Sequence, residues 1–504
     1  MIIPSRLRTL PIALAAVAAM GGSIAALHYH RVGLTLSHYD SRGHLVVARR
    51  IVDSLTPGWQ QIGAVWLPLP HLLNALPVQI DMFYRTGASA VALSIAAFAV
   101  ATGAIAWIVL QQTQSSAGAL VGATVFALNP NVLYLQATPM TEPLLLALTT
   151  LSVACLLEWI DGDRRSAALG TVTGWAFALA CMTRYEAWPV TACAMAGAGW
   201  AHWRRGDSLT SALRRVMPIA LYPAIAVMAF AIFSRVVIGE WFASGFFVPE
   251  NTALGHPLLA AAEIWWGTHQ LSGYLIVGIA AAGLGALCVK GLMSTRGRAD
   301  AIVVLSLAAT AAVPWLAFVD GHPFRIRYMV PLIAVEAIGA GVAVGFVNFF
   351  RGGRLVAALL AALVVGVELH PLDASAPMVV EAQWDRPNVP ARAHVTDCLR
   401  THYDGDTIMA SMGSLGHYMQ EASRNGFDIR NFLHEGNGDI WLAALNGPRP
   451  YAGWVLIEEK AEGGDMLAAI AREHPHFLDG YSRVCEGAGL ALYRRQNRML
   501  NVSR

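Results

Sequence analysis

Residues 8–44 read RTLPIALAAVAAMGGSIAALHYHRVGLTLSHYDSRGH. An apolar run of helix length, at about 8–27, follows Arg6 and Arg8 and gives way to a polar stretch centred on Tyr39 and Asp40. A basic start and an apolar run also describe an export signal. No small-residue cleavage pattern precedes His28, and more apolar runs follow. The stretch therefore reads as a retained first transmembrane helix, with Asp40 just past the point where the chain leaves the bilayer.

Working outward, runs of membrane length lie at about 88–110, 115–133, 140–160, 166–183, 185–203, 211–236, 271–291, 300–319, 328–350 and 354–371. With the first run they predict an α-helical polytopic membrane protein of about 11 transmembrane helices. Composition agrees. Of 504 residues, 56% are apolar and 13% charged, against about 25% charged in a soluble domain. The mean hydropathy is +0.49. Disorder, collagen-like repeats and a small disulfide scaffold are excluded. A net charge of +2 gives no basis for a nucleic-acid partner. Lysine occurs only at Lys290 and Lys460, so the positive charge is almost all arginine. A GC-rich genome explains that; bidentate phosphate recognition is the sharper alternative.

Charge sets the expected orientation. With the N-terminus inside, the inner ends carry Arg6, Arg8, Arg164, Arg165, Arg204, Arg205, Arg214, Arg215, Lys290, Arg296, Arg298, Arg351 and Arg354, the bias of cytoplasmic loops. The expected organisation is a transmembrane domain over 1–371, with long outer loops at 28–87 and 237–270, followed by an extracytoplasmic domain over 372–504. In the first loop, Leu45, Val46, Val47, Ile51 and Leu55 predict an amphipathic helix. The apolar stretch Val65 to Pro77 predicts an interfacial segment. Trp241, Trp265 and Trp266 of the second loop fit the aromatic belt, with stacking on a sugar as the alternative.

The C-terminal part changes character. Thr407–Ala410, Trp454–Glu458 and Leu490–Tyr493 predict strands, and 390–403, 414–424, 437–446 and 463–473 predict helices, giving a small α/β domain. Gly413-Ser414-Leu415-Gly416 reads as a strand–helix turn rather than a phosphate loop. Cys155, Cys181, Cys193 and Cys288 fall in apolar runs as inert residues. Cys398 and Cys485 form a disulfide if this part is exported and their separation permits.

Outer-face charges in short loops run against the topological bias. Asp40 is a candidate general base or, alternatively, a helix N-cap. Glu142 lies in Thr138-Pro139-Met140-Thr141-Glu142-Pro143, where Thr141 could cap a helix and Glu142 benefit from its dipole. Arg184 and Glu186, flanking Tyr185, either pair or serve a substrate. Arg325 and Arg327, ahead of Tyr328, make a phosphate clamp or snorkel to headgroups. Helix centres are nearly free of charge, Glu336 being the main exception. Midplane charges and related halves, the marks of a transporter, are missing from the sequence pattern.

The residues that carry a family resemblance are Tyr39-Asp40, the first-loop run from Pro57 to His71 with Gln61 and Trp66, the segment Pro139 to Pro143, and Arg325-Ile326-Arg327-Tyr328. Over roughly residues 1–371 the chain resembles the GT-C superfamily of integral-membrane glycosyltransferases. The nearest branch holds family 39 protein mannosyltransferase-like enzymes and lipid A aminoarabinose transferases. The resemblance implies a GT-C fold in a bacterial inner membrane and a polyprenyl-phosphate-linked sugar donor. The acceptor would be a lipid, glycan or protein, reached among membrane lipids. Asp40 would be the base, assisted by Glu142. Arg184, Tyr185, Glu186, Arg325, Arg327, Tyr328, His71, Trp66 and Gln61 would bind substrate. The resemblance names no certain cofactor, and a divalent metal stays open although no spacing demands one. Two departures stand out: Asp40 is followed by Ser41 instead of a second acid, and the first loop holds no lysine, so His71 or a loop arginine would substitute. Alternatives are a ligase or polymerase with a diphosphate-linked donor, a transporter or flippase, and an inactive scaffold.

Overall fold

The structure, a computed structural model, describes residues 9–162, 167–237, 239, 241, 250–293, 299–347, 352–460 and 464–496. Arg6, Arg8, Arg164, Arg165, Arg296, Arg298 and Arg351 lie outside the described residues. Contacts divide the chain into two compact units. One comprises Met1–Gly33, Ala64–Pro70 and Val91–Glu381; the other comprises Leu34–Gly63, His71–Ala90 and Ala382–Arg504.

The first unit is helical. Among the described residues, 7 helices are long and apolar enough to cross a membrane: Thr9–Arg31, Ala88–Thr113, Glu142–Asp161, Leu209–Val237, Tyr274–Met293, Ala301–Val319 and Ile326–Phe346. The chain is a multi-pass membrane protein. Shorter helices, Ser116–Ala127, Ala167–Cys181, Ala187–Arg204 and Gly353–Glu368, occupy the remaining expected positions.

The run expected at 115–133 is divided. Ser115 Oγ caps its start, accepting from Gly118 N at 3.1 Å. After Ala127 the helix stops, and Asn129 Oδ1 caps a new one, Pro130–Leu135, accepting from Asn131 N at 2.9 Å. Proline suits that first position because its missing N–H would be unpaired there anyway. The 12 residues of Ser116–Ala127 rise only about 18 Å. A second difference lies in the expected outer loop at 237–270, which contains the helix Pro257–Ser272. Gly273, with φ 90°, separates it from the next helix. The Glu368 carboxylate caps that next helix, accepting from Leu275 N and Ile276 N at 2.7 Å each.

The helix Val330–Phe346 is the buried centre of this unit. Its glycines make that possible. A Cβ on Gly283 would collide with the Gly339 carbonyl, and one on Gly118 with the Gly341 carbonyl. Small residues let transmembrane backbones approach where no hydrophobic driving force separates helix from lipid.

The second unit holds a five-stranded sheet in the order β2-β1-β3-β5-β4. The strands are β1 (Ile408–Ala410), β2 (Phe432–Leu433), β3 (Trp454–Glu458), β4 (Tyr481–Gly487) and β5 (Leu490–Arg495). β1 runs parallel to β2 and β3, and β5 antiparallel to β3 and β4. Alternation along the strands feeds two cores. Ile408, Trp454 and Leu456 face the helices Val389–His402 and Met412–Ala422. Met409, Val455 and Ile457 pack with Trp441 and Leu467 of the opposite helices. The first core also contains Leu45, Val46 and Ala48 of the amphipathic helix Tyr39–Arg50. Much of the first loop therefore folds with the C-terminal part. Cys398 and Cys485 are joined in a disulfide, with Cα atoms 6.6 Å apart. The turn at Gly413–Gly416 lies inside a helix whose N-terminus is taken by Glu435, which accepts from Ser411 Oγ and from Met412 N.

Candidate active site

In the first unit, the turn between helices Ala167–Cys181 and Ala187–Arg204 carries Arg184. Its guanidinium reaches across to the start of Glu142–Asp161. Nη1 donates to Glu142 Oε1 at 2.9 Å and to Thr141 Oγ1 at 3.1 Å, and Nη2 donates to Glu186 Oε1 at 2.6 Å. Thr141 therefore serves the arginine and makes no side-chain cap. Glu142 is fully buried, and its Oε2 accepts no hydrogen bond among the described residues. Burial works against the charge on Arg184, but the Glu142 and Glu186 carboxylates outweigh it and hold the group above its usual range. Arg327 acts on the same guanidinium with like charge.

The neighbouring Tyr185 fixes the chain that follows the first loop. Its hydroxyl donates to the Ala64 carbonyl at 3.0 Å, and Leu69 N donates to the Met182 carbonyl at 2.9 Å. Trp66, half-buried, sits on this tethered segment. Arg325, half-buried, precedes the short turn Ile326–Met329, and Arg327, buried, lies within it. The chain leading into it is braced from two sides. Glu250 N and Asn251 N donate to the Gly321 carbonyl at 3.1 Å each, and Asn251 Nδ2 bridges Glu263 Oε2 and the His322 carbonyl. Phe324 meets Trp266 edge-on. Tyr328 lies 3.3 Å from His322 Nε2 through its hydroxyl, and the Arg327 guanidinium stands 5.3 Å from its ring centre.

Asp40, Gln61 and His71 fall in the second unit. The N-cap alternative for Asp40 is corrected: the helix begins at Tyr39, and its cap is His38, whose Nδ1 accepts from Asp40 N at 3.1 Å. Asp40 is buried one residue inside the helix, and His44 follows one turn later on the same face. His44 Nδ1 lies 3.1 Å from His71 Nε2, both rings buried. Gln61 Nε2 donates to the Thr56 and Gly436 carbonyls at 2.7 and 2.8 Å. Three of the loop arginines offered as lysine substitutes are engaged in the unit's own framework. Arg42 pairs with Glu421, Arg49 with Asp53 and Asp81, and Arg85 with Asp81.

Among the described residues, no group of three His, Cys, Asp or Glu side chains gathers as a metal site. Two features escaped the sequence reading. One is the Asn251–Glu263–His322 brace, whose members lie 12 and 71 residues apart. The other is a polar cluster at the helix break. Asn129 Nδ2 and Asn131 Nδ2 both donate to the Leu271 carbonyl, and Asn131 Oδ1 accepts from Met378 N. Asn129-Pro130-Asn131 was the visible signal.

Residues 78–251 match the family model for dolichyl-phosphate-mannose-protein mannosyltransferases. No curated protein matches the sequence significantly. Among solved structures, ArnT from Cupriavidus metallidurans bound to undecaprenyl phosphate is similar over 96% of this chain and 97% of that one, with TM-score 0.57 and 12% identity. The Archaeoglobus fulgidus oligosaccharyltransferase complexed with zinc and sulfate is similar over 88% of this chain and 68% of that one, with TM-score 0.52 and 12% identity. The fold is that of the GT-C glycosyltransferases. The expected GT-C architecture, polytopic helices with a small C-terminal sheet domain, is what the chain has. The matched segment takes in Glu142, Arg184, Tyr185 and Glu186, and leaves Asp40, Arg325 and Arg327 of this GT-C fold outside it.

Proposed function

We propose that the chain is an inverting glycosyltransferase. It moves a sugar from a polyprenyl-phosphate donor to a lipid, glycan or protein acceptor at the outer face of a bacterial inner membrane, with the C-terminal part outside. The observation that carries this reading is the buried Glu142–Arg184–Glu186 cluster, with Arg327 acting on it, inside a GT-C fold. The likeness to ArnT bound to undecaprenyl phosphate supports the donor class.

The reaction is a single displacement. An acceptor oxygen or nitrogen bonds to the anomeric carbon as the bond from that carbon to the phosphate oxygen breaks, and the configuration inverts. The acceptor's proton passes to Asp40. The departing lipid phosphate is a good leaving group, and its charge is met by Arg325 and Arg327. Arg184 already serves two carboxylates, so it acts by orienting Glu142. Tyr185, Glu186, Tyr328, His71, Trp66 and Gln61 complete the substrate contacts. The fold shared with oligosaccharyltransferases favours a second reading, a diphosphate-linked glycan donor.

The test is release of free polyprenyl phosphate. Wild type and Asp40→Asn, each in lipid, are incubated with a panel of polyprenyl-phosphate sugars and a membrane extract as acceptor source. Release by wild type alone is expected. Equal release by Asp40→Asn removes Asp40 from the chemistry. No release from any monophosphate donor moves the reading to diphosphate-linked substrates.

A further inference from the structure

Along the helix Thr9–Arg31 of the first unit runs an apolar groove with a volume of about 360 Å³. The helices Ala88–Thr113 and Ser116–Ala127 form its other walls, and Pro371 and Leu372 complete the lining. Leu372 is held at φ 64°, a left-handed conformation that few non-glycine residues take. Thr102 offers the groove no free hydroxyl, because its Oγ1 donates to the Phe98 carbonyl at 2.8 Å. An apolar cavity of this kind stays dry and takes an apolar guest.

Two adjacent glycines on the first helix do different things. A Cβ on Gly22 would press on the Phe98 ring and on Gln136, so that glycine serves packing. A Cβ on Gly21 would meet nothing within 4 Å. Glycine weakens a helix interior, and no turn or close approach requires one at Gly21. Its missing side chain leaves the floor of the groove open. From Leu14 to Ala25 the helix rises about 16 Å, against a hydrocarbon core of about 30 Å. The groove is therefore one leaflet deep. That suits a phospholipid acyl chain and is too short for a polyprenyl chain.

The same helix face continues into charge. Val17, Gly21 and Ile24 line the groove, and the alternating four- and three-residue spacing then brings His28 and Arg31 onto that face. Arg31 lies about two turns past Ile24, where headgroups begin. It is exposed, and among the described residues its guanidinium has no ion pair. Asp373, the acid next to Leu372, is already engaged, accepting from Ser375 N and Ser375 Oγ at 2.8 Å each.

We infer that this face holds one anionic phospholipid of the surrounding bilayer. One acyl chain lies in the groove over Gly21, and the headgroup phosphate meets Arg31 and His28. The site is separate from the donor site proposed above, whose phosphate contacts are Arg325 and Arg327.

The experiment is native mass spectrometry of the full chain, delipidated in detergent. Phosphatidylglycerol and phosphatidylcholine with identical acyl chains are titrated in separate arms, and polyprenyl phosphate in a third. One phosphatidylglycerol is expected to bind saturably, about fivefold tighter than phosphatidylcholine, the worth of one arginine beside an anionic lipid. Arg31→Gln brings the two phospholipids to equal affinity. Gly21→Leu fills the open space and abolishes the saturable site, while Tm in lipid-free detergent stays as in wild type. If Gly21→Leu does not fold, Val17→Phe narrows the same groove and carries the test. Equal affinities for the two phospholipids in wild type, or a preference that survives Arg31→Gln, overturn the headgroup contact. Saturable binding that survives the groove variants overturns the site. Polyprenyl phosphate bound more tightly than phosphatidylglycerol, and lost in the same variants, gives the groove to an isoprenoid chain and overturns the phospholipid.

Discussion

At the scale of single residues, Arg184 decides how the acids of the first unit behave. It stands between Glu142, which is fully buried, and Glu186, which is 5% exposed at its side chain. A buried carboxylate without a partner is strongly unfavourable, and removing one member of such a pair costs about 3–5 kcal/mol. Arg184→Met is therefore expected to lower the unfolding midpoint of the protein in detergent. The double variant Arg184→Met, Glu142→Gln should recover part of the loss, because only one buried charge then stays unpaired. An Arg184→Met protein as stable as wild type would show that the cluster contributes nothing. Sequence showed the residue types here but not their partners. Arg184–Glu186 is visible as a near neighbour. Arg184–Glu142 spans 42 residues and depends on two helices meeting. Asp40 shows the converse: two residues upstream, His38 had the better capping geometry and left Asp40 inside the helix.

At the scale of elements, periodicity was enough where an element's own side chains determine it. The expected helices at 390–403 and 463–473 correspond to Val389–His402 and Met466–Glu473, and the strand Trp454–Glu458 is met residue for residue. Two strands were not legible. β2 has 2 residues, too few for any alternation. β4 is an edge strand carrying Arg483 and Glu486, so its apolar signal is weak. The helix break at Asn129 was signalled by Asn129-Pro130-Asn131, but the apolar composition on both sides let the run read as one. The disulfide ties the helix Val389–His402 to β4 across 87 residues. Closing a loop of that length stabilises by about 2–5 kcal/mol, chiefly by restricting the unfolded chain. Cys398→Ser should lower the melting temperature of the second unit, and dithiothreitol should do the same to wild type and nothing further to the variant. A reductant-insensitive wild type would mean that the bridge does not form in the protein as made.

At the scale of the whole molecule, what the sequence could not show is that residues 34–63 and 71–90 fold with residues 382–504. Hydropathy reports whether a segment is amphipathic, but not which distant surface covers it. The amphipathic helix was legible, while its packing against Val395, Tyr418 and Trp454 was not. That union brings Arg42 beside Glu421, Arg392 and Asp385, and His417 belongs to the same charged network. Burial, then Arg392, push His417 down to about 4, with Arg42 adding to them and Asp385 and Glu421 pulling the other way. In the unfolded chain the same imidazole titrates at about its ordinary value of 6.5. The unfolded state therefore takes up a proton between pH 6.5 and about 4 that the folded state refuses. The contribution of neutral His417 is complete above pH 6.5 and is lost as pH falls through that window. His434 shifts in the same direction and adds to it. Asp465, raised to about 6 by burial, works oppositely, since its folded form gains the proton first on acidification. The net slope mixes these groups, so the measurement is a difference. Melting temperatures of wild type and His417→Gln are followed from pH 7.5 to 4.5. Wild type is expected to lose ground to the variant steadily below pH 6.5. A constant gap across the range would mean that His417 is protonated in the folded unit at the same pH as in the unfolded chain.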